Sequence, residues 1–186
     1  MIRWLNIFVL LVSLLTACHQ GLGEMDMDAE ETAVYTVLLQ RSTSLWVIQQ
    51  EAQATGYGDP DSGWLGYIHK EMPEVSQATV SSFRDRNAEE GVLDGRFDAS
   101  MNVALLSRQG FDDIFQVGGW DEFYRLYPGA WGYTTLSRVG FNANLSQALV
   151  YMGTMSGPLA GAGYYYLLEK VDCVWQITHQ VMAWIS

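Results

Sequence analysis

Residues 132–186, GYTTLSRVGFNANLSQALVYMGTMSGPLAGAGYYYLLEKVDCVWQITHQVMAWIS, decide the fold. From Gly132 onward the apolar residues recur with a period near two, the spacing of a strand rather than a helix. Four long β-rich segments stand out: YTTLSRVGF, QALVYMGTM, AGAGYYYLLEK and VWQITHQVMAWIS. They are joined by Asn142 to Ser146, by Ser156-Gly157-Pro158 and by Val171-Asp172, connections too short for crossovers. An antiparallel meander follows. Tyr164, Tyr165 and Tyr166 in succession must send rings to both faces of their strand. Gly161 and Gly163 mark a bulge or a close backbone approach.

Within the first segment, LSRVGFN (136–142) carries an arginine, a glycine and an asparagine together. Strict alternation places Tyr133, Thr135, Ser137, Val139 and Phe141 on one face, the core side. Leu136, Arg138, Gly140 and Asn142 fall on the other. Ser137 is then a buried hydroxyl paired to backbone, and Arg138 meets a carboxylate. Gly140 permits a bend, and Asn142 opens the turn.

Helical signals lie in the front half. Asp28 with Glu31 three residues later resembles a capping arrangement, and Val34, Val37 and Leu38 supply an apolar stripe, predicting a helix over 28–40. Leu45 to Ile48 reads as a short strand, and Gly56 to Gly63 as turn chemistry throughout. Ser76 caps a helix with Val80, Phe83 and Asn87 on one side, ending before Gly91. Asn102 to Leu106 reads as a central strand. In GGWDEFYRLYP, Trp120, Phe123, Tyr124 and Tyr127 occupy one helical face, with Pro128 as the stop. Without a repeated βαβ spacing the expectation is an α+β domain: N-terminal helices packed on a C-terminal antiparallel meander of about four long strands. One face of the sheet would be buried under those helices, with half-barrel or cone-like curling as the variant form.

The succession WDEFYRLYP, LSRVGFN, QALVYMG, GAGYYYLLEK, Trp175 and the terminal AWIS resembles a family of uncharacterised bacterial secreted proteins over residues 119–186. That resemblance supports the strand order and implies no activity. One departure is Val171-Asp172-Cys173, where Asp-Gly makes the easier hairpin turn.

The first eighteen residues, MIRWLNIFVLLVSLLTAC, set an address. Arg3 precedes an apolar run from Ile7 to Leu15, and the small residues Thr16 and Ala17 follow, the order of a secretory signal. The run falls short of the about 20 apolar residues of a spanning helix. Leu15-Thr16-Ala17-Cys18 resembles the lipobox of bacterial lipoproteins, which implies lipidation of Cys18 and attachment to a membrane through N-terminal acyl chains. Two or three chains, at about 0.8 kcal/mol per buried CH₂, hold a protein there essentially permanently. The expected organisation is a signal peptide over 1–17, a lipidated flexible tether over 18–27 and one globular domain over 28–186. His19 after the cysteine, by resemblance to enterobacterial sorting, favours the outer membrane in a Gram-negative host.

Composition narrows the partners. The formal net charge is −11, and removing a signal whose one charge is Arg3 makes it more negative still. Nucleic acid is excluded, because its binding rests on Lys and Arg neutralising phosphates. Lipid on Cys18 would leave Cys173 without an intramolecular partner, either a small buried hydrophobe or an exposed thiol.

Specific chemistries find little support. Asp59 and Asp61 open like a calcium loop, but Gly63 comes one place early and Lys70 stands where the bidentate Glu belongs. His69 and His179 are isolated from Cys173 and from each other, so zinc spacing is lacking and no metal or cofactor is expected. Ser137 with a histidine lacks a nucleophile elbow. Paired carboxylates for an envelope-acting hydrolase are available only because acids are abundant. No catalytic residue is assigned. Seven Trp and ten Tyr favour a binding, assembly or inhibitory module at the cell envelope, recognising a protein or glycan through an aromatic face. Arg138, Trp120, Tyr124 and Tyr165 are the expected contacts.

Overall fold

Strand β1 (Leu45–Gln49) buries nearly every side chain on both of its faces, and in the computed structural model it is the strand about which the sheet is organised. The structure describes residues 26–40, 42–53 and 63–186. Helix α1 (Met27–Leu39) precedes β1; α2 (Trp64–Glu71) and α3 (Gln77–Arg86) follow it and lead to β2 (Val103–Leu106). Next come α4 (Arg108–Val117), α5 (Gly119–Leu126) and β3 (Ala130–Leu136). The chain closes with β4 (Gly140–Phe141), β5 (Gln147–Gly157), β6 (Ala160–Val171) and β7 (Val174–Ile185). The fold is α+β, and the C-terminal strands form the expected meander: β3, β5, β6 and β7 lie side by side, each antiparallel to the next.

The sheet is nonetheless mixed and open. Its order is β2-β1-β3-β5-β6-β7, with β4 pairing β5 off that path, and β1 runs parallel to both β2 and β3. The segment expected to be central, Asn102 to Leu106, supplies the edge strand β2. The central role belongs to β1, whose apolar run suits a parallel strand covered on both sides.

Helices also cover both faces rather than one. Val34, Tyr35 and Leu38 of α1 meet Leu136, Ala148, Val150, Tyr166 and Leu168 on the first face. On the second, Ile68 and Phe83 meet Leu149, Tyr165 and Leu167, while Ile114 and Phe123 meet Val47 and Tyr133. Alternate residues of one strand therefore enter different cores, which is why QALVYMG reads as continuously apolar.

Local signals set most helix ends. Ser76 Oγ accepts from Thr79 N at 3.1 Å and Ser107 Oγ from Gly110 N at 3.1 Å, satisfying free amides of the first turns. Asp26, not Asp28, caps α1, accepting from Asp28 N and Ala29 N. Glu31, placed by sequence in a capping box, is instead fully buried.

LSRVGFN is not one strand. Pairing stops after Leu136 and resumes at Gly140, so alternation fails and Leu136, Val139 and Phe141 all enter the α1-side core. Ser137 fills the break: its amide donates to Tyr151 O at 3.1 Å and its Oγ accepts from Tyr151 N at 2.8 Å. That is the buried hydroxyl paired to backbone which the sequence predicts. Gly140 admits α3, since a Cβ there would run into the backbone of Phe83. Asn142 opens the next turn, its Oδ1 accepting from Ser146 N and Gln147 N.

The β6–β7 turn places Asp172 at φ 50° and Cys173 at φ 66°, between paired Val171 and Val174. Both central residues are left-handed, as a two-residue hairpin turn requires. Cys173 is exposed and disulfide-bonded, which corrects the expectation that it lacks a partner. The chain's other cysteine, Cys18, lies outside the described residues, as do the expected signal, most of the expected tether and residues 56–62 of the expected Gly56–Gly63 turn, with Asp59 and Asp61. Among the described residues no helix is long and apolar enough to cross a membrane.

Candidate functional site

Arg138 sits in the link between β3 and β4 and reaches Glu31 on α1. Its Nε donates to Glu31 Oε1 at 2.9 Å and its Nη2 to Oε2 at 2.7 Å. The same carboxylate accepts from Val139 N at 2.8 Å, from Tyr35 Oη at 3.2 Å and from Arg86 Nη2 at 3.2 Å. Arg96 stands 3.7 Å away and pairs with Asp28. Asn87 completes the clamp, accepting from Arg138 N at 2.8 Å and donating to Arg138 O at 2.9 Å.

Burial alone would raise the Glu31 carboxyl, but hydrogen bonds from Arg138 and Val139 outweigh it and hold it below the ordinary glutamate range. Burial pushes the Tyr35 hydroxyl well up. A carboxylate with its oxygens engaged by five donors is a poor proton acceptor. The cluster ties α1 and α3 to the β3–β4 link.

The other expected contacts lie elsewhere. Trp120 and Tyr124 belong to the core under α4 and α5. Trp120 meets Phe115 edge-on with centroids 5.1 Å apart, and Tyr124 Oη donates to Ser156 O at 2.9 Å. Tyr165 lies on β6 in the core beneath α2 and α3, stacked on Trp64 at 6.1 Å and edge-on to Phe83 at 6.0 Å. Burial raises its hydroxyl to about 12. The four residues thus occupy three separate places. His179 lies 3.8 Å from Glu74 on the surface. Among the described residues no three His, Cys, Asp or Glu side chains gather as a metal site.

Among the described residues, concave sites form away from the four expected contacts. Past the C-terminal end of α1, the first face of the sheet lies open as a groove of about 430 Å³, floored by Trp46, Met152, Tyr164 and Tyr166. Trp131 and Ile185 line it at 58% and 70% exposure, and Thr154 and Ser156 add hydroxyls. Trp46 is fixed by its indole N–H, which donates to Leu39 O at 3.0 Å. A second groove, of about 310 Å³, shares Trp46 and lies against Leu39, Ser42 and Met101. On the opposite face a cleft of about 220 Å³ lies among β1, β3, β5, β7 and α4.

Strand parity places Met152, Thr154 and Ser156 on one side, a signal present in the sequence. Register alone brings Met152 and Thr154 opposite Tyr164 and Ala162, while Ser156 falls at the register shift before the Gly157–Ala160 pair, and only the parallel pairing of β1 adds Trp46. Comparison with protein-family models, with curated protein sequences and with solved structures finds no match to this chain.

Proposed function

We propose that the chain is a bacterial lipoprotein whose domain is a non-catalytic binding, assembly or inhibitory module at the cell envelope. Lipid on Cys18 anchors it, the tether over 18–27 gives reach, and the Trp46 groove takes a protein or glycan partner. Fully extended, at about 3.3 Å per residue, that tether reaches about 30 Å.

The open groove carries this reading. An exposed Trp131 lining the groove together with Trp46, Tyr164 and Tyr166 offers large, rigid ring area at low entropy cost, with the Thr154 and Ser156 hydroxyls beside it. Among the described residues no paired carboxylates line it, and the fully buried Glu31 is engaged by the arginine clamp.

The reading also sets a condition on Cys173. A sulfur that carries a diacylglyceryl thioether cannot also enter a disulfide, so lipidation of Cys18 and a disulfide from Cys18 to Cys173 exclude each other in any one molecule. Palmitate labelling that is lost in Cys18→Ala supports the anchor; equal labelling of both chains overturns it. For the partner, wild-type and Trp131→Ala chains are immobilised side by side and exposed to envelope extract. A protein or glycan retained by the first and lost by the second supports the module. Turnover of a glycan or ester panel with no retained partner replaces it with an envelope hydrolase.

A further inference from the structure

The cleft on the second face is chemically different from the Trp46 groove. Thr135 and Gly153, paired across β3 and β5, form its floor. Its walls are aromatic: Tyr133, stacked on Phe111 with centroids 3.9 Å apart, and Tyr151, whose hydroxyl accepts from Trp184 Nε1 at 2.7 Å. Gly153 keeps the floor low, because a Cβ there would collide with the Tyr151 hydroxyl.

Two carboxamides complete the wall. Gln49 is only 4% exposed, and its Nε2 donates to Glu51 O at 2.9 Å. Its Oε1 takes no hydrogen bond from the described residues. That oxygen keeps some contact with solvent and is free to accept a hydrogen bond from whatever fills the cleft. Gln53 is fixed by its backbone, whose N–H donates to Leu136 O at 2.7 Å, and offers both a donor and an acceptor in its side chain.

Charge at the cleft is already matched. Arg108 gives its Nη2 to Glu90 at 2.8 Å and its backbone N–H to Glu51 Oε2 at 2.9 Å. A ligand here needs no charge of its own. It needs hydroxyls for the amides and an apolar ring face for the aromatic walls. At about 30 Å³ per water, the cleft holds about seven waters' volume, below the usual range for drug-sized ligands.

We infer that this cleft binds one small, neutral, polyhydroxylated ring, of single-sugar size, with its hydroxyls on Gln49, Gln53 and Thr135 and its ring face against Tyr151 and Trp184. The site is separate from the Trp46 groove and does not depend on what that groove holds.

The test uses the full chain in detergent and ligand-observed NMR with glucose, galactose, N-acetylglucosamine and glucuronate as probes. Saturation transfer to at least one neutral sugar is expected, with weaker transfer to glucuronate. Gln49→Met should weaken binding about tenfold, and Gln53→Trp, which puts a bulky ring into the lining, should abolish it. Trp131→Ala in the other groove should leave it unchanged. Thr135→Val serves as a second isosteric variant should Gln49→Met unfold, with folding checked by circular dichroism. The inference is overturned by no transfer from any neutral sugar to folded protein, by preference for glucuronate, by binding that survives Gln53→Trp, or by binding that Trp131→Ala removes.

Discussion

Glu31 shows how one buried residue decides what its neighbours can do. Taking a carboxylate out of water is costly, and here the cost is offset by direct donors from Arg138, Val139, Tyr35 and Arg86. Removing Arg138 takes two of the five donors from a buried carboxylate, so Arg138→Ala should lose about 3 kcal/mol in urea denaturation. The pH dependence follows from the lowered carboxyl. Its contribution is fully present above the ordinary value of 4.5 and disappears as pH falls through the depressed folded value. Stability should therefore fall more steeply below pH 4.5 in the wild type than in Glu31→Gln, measured by denaturant midpoints across that range. Sequence alone pairs Arg138 with an acid. It cannot say which one, because Glu31 lies 107 residues away and reads locally as part of a helix cap.

At the scale of elements, two contacts set how the strands connect and pack. The α3–β4 contact depends on Gly140, where any Cβ meets the Phe83 backbone and cannot be relieved by rotating a side chain. Gly140→Ala should cost about 3 kcal/mol, read as a lowered thermal midpoint, and should separate α3 from β4. The β6–β7 turn carries Asp172 and Cys173 in the left-handed region, where a residue with a Cβ pays about 1–2 kcal/mol. Replacing the pair with Asn-Gly should raise the thermal midpoint by about 2–4 °C per kcal/mol gained, compared with wild type under reducing conditions so that the disulfide does not contribute. An unchanged midpoint would mean the turn is not strained in the folded chain.

For the whole molecule, sheet coverage determines which surfaces remain for binding. Among the described residues, one helix covers the first face and four cover the second, so the first face beyond α1 carries the Trp46 groove. Trp131 is more than half exposed there, and Trp131→Ala should abolish partner retention while shifting stability by less than about 0.5 kcal/mol. A large loss of stability would make Trp131 a packing residue instead. The proposed lipidation is tested at the same scale: a chain acylated on Cys18 should yield no Cys18–Cys173 disulfide peptide in non-reducing mass spectrometry, because one sulfur cannot carry both bonds.

Period-two runs, turn residues and helix caps are local, and from them the C-terminal meander, the Ser76 and Pro128 helix boundaries and the α+β class are legible. So is the structural role of Ser137, because a hydroxyl inside an apolar strand has few partners besides backbone. Strand order across the front half is not local: nothing in LWVIQ or VALL says that one is flanked on both sides and the other stands at an edge. That choice follows from where α2 to α5 can cross and which apolar faces they bury together. The tertiary structure therefore decided the parallel placement of β1, the covering of both faces, the pairing of Glu31 with Arg138, and every wall of the groove and the cleft. Each of these joins residues far apart in sequence, and their proximity is created only when the cores close.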